Sequence, residues 1–149
     1  MPDIFMVQPD QVGLIWDEAS KQLARAMDRM PGRYTTDDIL ASILANETQL
    51  WIAMDGEDML SACVTRIYAT PLSRILGIEW IGGDAVDLWA NDGLDLFERF
   101  ARDNNCTKIE GYCRRGWKKI LESKDWTELH TKFEKDLSDG RNSTIHQIH

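Results

Sequence analysis

The chain has 149 residues, 43% hydrophobic and 28% charged, the balance of an ordinary globular protein long enough to bury one core. Its formal net charge of −8 argues against general nucleic-acid binding. No apolar run approaches the length of a membrane span and the opening Met-Pro-Asp-Ile-Phe lacks a secretory charge pattern, so a cytoplasmic setting is expected, with Cys63, Cys106 and Cys113 as reduced thiols.

Phe5 to Gln8 reads as a short strand ended by Pro9-Asp10, with Asp10 placed to cap the helix that follows. Val12, Ile15, Trp16, Ala19, Leu23, Ala26, Met27 and Met30 give that helix one apolar stripe, and Pro31-Gly32 ends it. Thr35-Thr36-Asp37-Asp38 has the pattern of a capping box, ahead of a shorter helix made by Ile39, Leu40, Ile43 and Leu44. Gln49 to Met54 and Met59 to Tyr68 are strands of a hairpin turned by Asp55-Gly56-Glu57-Asp58. After Pro71 comes a strand from Ser73 to Ile81, a turn at Gly82-Gly83, a helix from Ala85 to Asp103 and a strand from Thr107 to Cys113. Val86, Trp89, Gly93, Phe97, Phe100 and Ala101 recur at helical spacing, so one stripe of that helix faces a sheet. A strand, a helix of this length and another strand make a right-handed crossover between parallel strands.

Arg114-Arg115-Gly116-Trp117 then leads into a helix of about two turns ending near Lys124. Thr127 to Leu137 alternates as a last strand, with Leu129, Thr131, Phe133, Lys135 and Leu137 on one side, and residues 138–149 are a polar tail. The expected architecture is α+β, in the order β-α-α-β-β-β-α-β-α-β: one domain over residues 1–137, its mixed sheet flanked by helices on both faces.

That order of elements resembles the GNAT superfamily of acyl-CoA-dependent N-acetyltransferases over roughly residues 4–137. Gly32-Arg33-Tyr34-Thr35, Gln49-Leu50-Trp51-Ile52-Ala53 and Arg114-Arg115-Gly116-Trp117 look in particular like the short GNAT-like proteins of tailed bacteriophages and prophages. The resemblance implies acetyl-CoA or another acyl-CoA as cofactor, and direct acyl transfer to a primary amine on a small molecule or a protein. It also carries an alternative from a different class. This is a non-catalytic phage protein with a virion-structural or host-interaction role, in the host cytoplasm or the virion.

In the family a strand ends in Arg/Gln-x-x-Gly-x-Gly/Ala, and the backbone of that loop holds the CoA pyrophosphate at the next helix's N-terminus. Trp80-Ile81-Gly82-Gly83-Asp84-Ala85 stands in its place here. Gly83 and Ala85 keep the small residues, Trp80 replaces the Arg/Gln, and Asp84 sets a negative charge where a pyrophosphate would lie. The resemblance further implies that the two parallel strands splay at their C-terminal ends, with the pantetheine arm along the backbone near Glu79 to Ile81. A later landmark, Asn-x-x-Ala-x-x-Tyr-x-x-x-Gly-Phe, ends here at Leu121 to Trp126, with Leu121 at the Tyr position and Asp125 at the Gly position.

Each candidate residue has a structural reading beside the chemical one. Gly82-Gly83 is a tight turn or an anion cradle. Glu79, in an otherwise apolar strand, is a cross-sheet partner or a general base toward an amine. Tyr112 is a packing residue or a proton donor replacing the family's tyrosine. Arg114, Arg115, Lys118 and Lys119 place cations in a helix's first turn, opposing its dipole by roughly 0.3–1 kcal/mol each. They are solvated charge, or a seat for an anionic partner: CoA phosphates, an acidic protein surface or nucleic acid. His130, His146 and His149 have no metal-ligand spacing, and no metal is expected.

Overall fold

Strand order across the sheet follows strand order along the chain, β1-β2-β3-β4-β5. β1 (Asp3–Val7), β2 (Gln49–Asp55), β3 (Asp58–Thr70) and β4 (Ser73–Gly83) pair antiparallel, and β5 (Lys108–Gly111) joins β4 in parallel. The Asp-Gly turn between β2 and β3 holds Gly56 at φ 62°, a left-handed value that a glycine adopts without a Cβ clash. The 18 residues of α3 (Val86–Asp103) carry the chain from the end of β4 back to the start of β5, as a parallel pair requires. The computed structural model describes residues 2–138 and separates two units, Met1–Cys113 and Arg114–His149. The first holds the sheet, α1 (Val12–Met27), α2 (Thr36–Leu44) and α3; the second holds α4 (Lys118–Ser123).

Helices cover both faces of the sheet, as the periodicities require. On one face Val12, Ala19 and Leu23 of α1 and Ile39 and Ile43 of α2 pack on Leu50, Ile52, Ala62, Val64 and Trp80. On the other, the Trp51 ring meets Phe97 and Phe100 of α3 edge-on, each at 5.1 Å between centroids. Such pairs add about 0.5–1.5 kcal/mol each beyond the area they bury. Trp51 Nε1 donates to Thr65 Oγ1 at 3.0 Å, so this indole is buried with its polar end satisfied.

The start of α2 is set locally. Thr35 Oγ1 accepts from Asp38 N at 3.2 Å and the Asp38 carboxylate accepts from Thr35 N at 2.8 Å, a reciprocal capping box. The Thr35 backbone N–H and, second, the Thr35 hydroxyl, which also donates to the Asp38 carboxylate at 2.9 Å, hold Asp38 below the usual carboxylate range. Thr35→Ala should cost about 1 kcal/mol in urea unfolding at neutral pH. A carboxyl depressed in the folded state contributes stability above its unfolded value of about 4 and loses it as pH falls through the folded one. The penalty of Thr35→Ala should therefore shrink in acid, and a penalty independent of pH would mean that the Thr35 hydroxyl does not donate to the Asp38 carboxylate.

Four expectations change. Asp10 does not cap α1: Pro9 begins a tight helical turn over Pro9–Gln11, so the chain is already helical at Asp10, and Gln11 precedes α1 without a side-chain cap. α1 stops at Met27 rather than Met30, because the residues before Pro31 leave the helix in tight turns. β5 keeps only Lys108–Gly111 of the expected Thr107 to Cys113. Residues 127–137 form neither helix nor strand, and Leu129 and Phe133 are 82% and 89% exposed. Alternation supplies a strand with side chains but not with ladder bonds, which must come from a neighbour; among the described residues no strand pairs there. Of the expected polar tail, Ser138 donates to Asp136 Oδ1 through its backbone N–H and its hydroxyl, and the rest lies outside the described residues.

Candidate functional site

β4 is paired along its whole length on one side and along less than half of it on the other. Its ladder with β3 runs from Ser73 to Gly83, whereas its ladder with β5 ends at Ile78 opposite Gly111. From Glu79 to Gly83 it stays a strand with no partner on the β5 side among the described residues. The divergence begins at a bulge. Val64 stands opposite Trp80 and Thr65 opposite Ile78, so Glu79 is the extra residue, and a bulge bends and twists the strand that carries it. Here it aims Glu79 at the α1–α2 face, where Arg66 Nε donates to Glu79 Oε1 at 2.7 Å. The two side chains are 39% and 32% exposed.

The loop beyond β4 is fixed by close approach of backbone. A Cβ on Gly82 would lie 2.7 Å from the carbonyl carbon of Gln22 in α1 and closer still to its oxygen. On Gly83, at φ 147°, a Cβ would lie 2.6 Å from Ser61 Cα. Asp84 N donates to Leu60 O at 2.9 Å, and Trp89 Nε1 donates to Asp84 O at 2.9 Å. Ala85 is left-handed (φ 54°, ψ 42°) and brings the chain into α3 with no side-chain cap on that helix's first N–H groups.

The Asp84 carboxylate is held by a residue that the sequence does not signal. Arg25 of α1 donates Nη2 to Oδ1 at 2.8 Å and Nη1 to Oδ2 at 3.1 Å, a bidentate pair across 59 residues of chain. The hydrogen bonds, then the charge of the guanidinium, hold Asp84 below the usual carboxylate range. Gln22, one turn before Arg25, donates Nε2 to Met59 O at 3.1 Å and helps seat α1 against this end of the sheet. The negative charge that the motif placed beside a pyrophosphate is thus already countered.

Trp80 takes a different place from the Arg/Gln it replaces. Its side chain is buried in the core under α1 and α2, with Tyr34 edge-on at 6.3 Å between centroids, and only its backbone lies along the open edge of β4. Its Nε1 is buried without a hydrogen-bond partner among the described residues. Ile81, on the opposite face, is half-buried. Tyr112 follows β5 and is 65% exposed; Glu110, two residues earlier and within the strand, accepts from Tyr68 Oη at 2.5 Å. That bond, with some burial and the Glu110 charge, pushes the Tyr68 hydroxyl up to about 12. Arg66, Tyr68, Glu79 and Glu110 therefore line up across β3, β4 and β5. Neither Arg66, Tyr68 nor Glu110 stands out in the sequence, since each is one polar position in an alternating strand.

Arg114 and Arg115 belong to the second unit, where Arg115–Trp117 form a short turn before α4; both are exposed, and Lys118 pairs with Glu128 at 3.5 Å. Asp125, at the family's Gly position, takes φ 68° just past α4, a left-handed conformation of the kind for which glycine is favoured.

Neither a protein-family model nor a curated protein matches the chain. Solved structures do. A predicted acetyltransferase from Clostridium acetobutylicum, solved with acetyl-CoA, has a TM-score of 0.67 and 14% identity, covering 92% of this chain and 97% of its own. Glucosamine-6-phosphate N-acetyltransferase from Arabidopsis thaliana has a TM-score of 0.67 and 12% identity, covering 93% and 99%. The aminoglycoside N-acetyltransferase AAC(6')-Iy, in complex with CoA, has a TM-score of 0.66 and 17% identity, covering 92% and 95%. Identities this low establish shape rather than activity, and the shape is that of the GNAT acetyltransferases: a mixed five-stranded sheet, helices on both faces, and parallel strands that part at one end.

Proposed function

We propose that the protein is an acyl-CoA-dependent N-acyltransferase acting on a primary amine. The observation that carries this reading is the unpaired edge of β4 from Glu79 to Gly83, which leaves backbone donors and acceptors free beside β5 for an extended thioester carrier. The loop after it fits the other end of such a molecule. Gly82 and Gly83 bring backbone close, and the first turn of α3 offers uncapped N–H groups to a phosphate. Ile81, Gly82, Gly83, Asp84 and Ala85 would form this cradle, together with the backbone of Trp80, and Arg25 would keep Asp84 from repelling the anion.

Acetyl-CoA or a related acyl-CoA would supply the acyl group as an activated thioester. Glu79, aimed by the bulge and steadied by Arg66, would take the proton from the incoming amine. Tyr112 would stand as proton donor beyond the end of β5, its phenolic hydroxyl replacing that of the tyrosine absent at Leu121. The solved neighbours named above support this reading at the level of fold, and two of them hold acetyl-CoA or CoA.

Calorimetry with acetyl-CoA is the direct test. A saturable binding heat is expected, and none at millimolar cofactor would overturn the proposal. Arg25→Ala should weaken that binding roughly fivefold, the scale of one unscreened unit charge a few ångströms away in water, and adding Asp84→Asn should restore it. If Arg25→Ala binds as the parent does, Asp84 does not face the bound anion.

A further inference from the structure

Glu79 shares its face of the sheet with a second carboxylate for which the transfer step has no use. Glu110 stands opposite Gly77, and Glu79 lies two residues further along β4, about 7 Å at strand rise. Glu79 is ion-paired with Arg66, but among the described residues Glu110 has the Tyr68 hydroxyl as its hydrogen-bond partner and no cation. Gly77 keeps the floor between them at backbone level: a Cβ there would lie 3.6 Å from Tyr68 Cε1 and 3.9 Å from Glu110 Oε2. Tyr68 flanks Glu110 on one side, and the exposed Tyr112 comes two residues later, just past the end of β5. A carboxylate with a tyrosine ring beside it recognises an ammonium, through charge and through the ring face.

We propose that the acceptor is a short diamine, one ammonium seated on Glu110 beside Tyr68 while the other amine reaches Glu79 across Gly77. This rests on the acyltransferase reading and adds the substrate class. The diamine's far end stays charged on Glu110 throughout, and the reacting end loses its proton to Glu79. A monoamine of the same length has nothing to offer Glu110. Glu110 is then a specificity residue, and Tyr68 positions it through the hydroxyl it donates.

Thiol release from acetyl-CoA by the full chain, with diaminobutane and with butylamine, tests this. The expected kcat/KM is about tenfold higher for the diamine, and Glu110→Gln should bring it to within about twofold of the monoamine. Tyr68→Phe, which leaves the carboxylate in place, should lose only part of the preference. Equal values for the two amines in the unsubstituted protein, or a preference that survives Glu110→Gln, would overturn the proposal. Calorimetry of diaminobutane alone keeps the two readings apart. Binding that Glu110→Gln weakens about tenfold, in a chain that releases no thiol, would keep the seat and remove the transferase. Turnover of butylamine with no diamine preference and no diamine binding would do the reverse.

Discussion

Gly82→Ala should destabilise the first unit by about 3 kcal/mol or more, at or beyond the upper end of the usual cost of overpacking. The added methyl would meet the Gln22 carbonyl, which belongs to the backbone of α1 and has no rotamer by which to move aside. Relief requires α1 to lift from β4, which would also strain the Arg25–Asp84 pair and the Gln22–Met59 bond. Gly93→Ala is the natural comparison. It sits in the middle of α3, where a Cβ would lie 3.6 Å from Trp89 Cε3 and 3.8 Å from Ile4 Cδ1, ordinary contact distances. That substitution should be neutral or stabilise by up to about 1 kcal/mol through helix propensity. Urea unfolding of the two variants, side by side, measures the difference; a Gly82→Ala protein as stable as Gly93→Ala would mean that α1 does not press on β4.

Glu79→Gln should lower kcat by about 10²–10⁴-fold, the usual yield of a positioned general base. Stability should change far less, since a pair about one-third exposed contributes roughly 1 kcal/mol at most. The two readouts separate chemistry from folding: initial rates of thiol release report the first, urea midpoints the second. A variant that keeps its rate within about tenfold of the parent would remove Glu79 as the base, and one that loses rate and fold together would reduce it to a structural partner of Arg66.

Both residues were visible in the sequence, but for incomplete reasons. Gly82-Gly83 reads there as a turn or an anion cradle; in the structure Gly82 is still in the strand, and its lack of a side chain admits a helix from elsewhere in the chain. Glu79 stands out as a carboxylate in an apolar strand, yet the bulge that aims it at Arg66 depends on how β3 pairs with β4, which no window of β4 residues encodes. Trp80 illustrates the same limit. By motif position it belongs to the cofactor loop, whereas the bulge and the period of two turn its ring into the core under α1 and α2.

What the sequence determined by itself is what a few neighbouring residues can settle. The Asp-Gly turn, the Thr35–Asp38 box and the helical stripe of α3 each lie within one or two turns of chain, so their hydrogen bonds and packing faces are written locally. The family resemblance already implied that β4 and β5 part; the tertiary structure alone decided the bulge at Glu79 where they do so, the Arg25 that answers Asp84 from 59 residues away, and the row from Arg66 to Glu110 across three strands. Residues 127–137, with the alternation of a strand and no assigned neighbour, mark the boundary between the two: a strand's hydrogen bonds belong to its partner, and its own sequence cannot supply them.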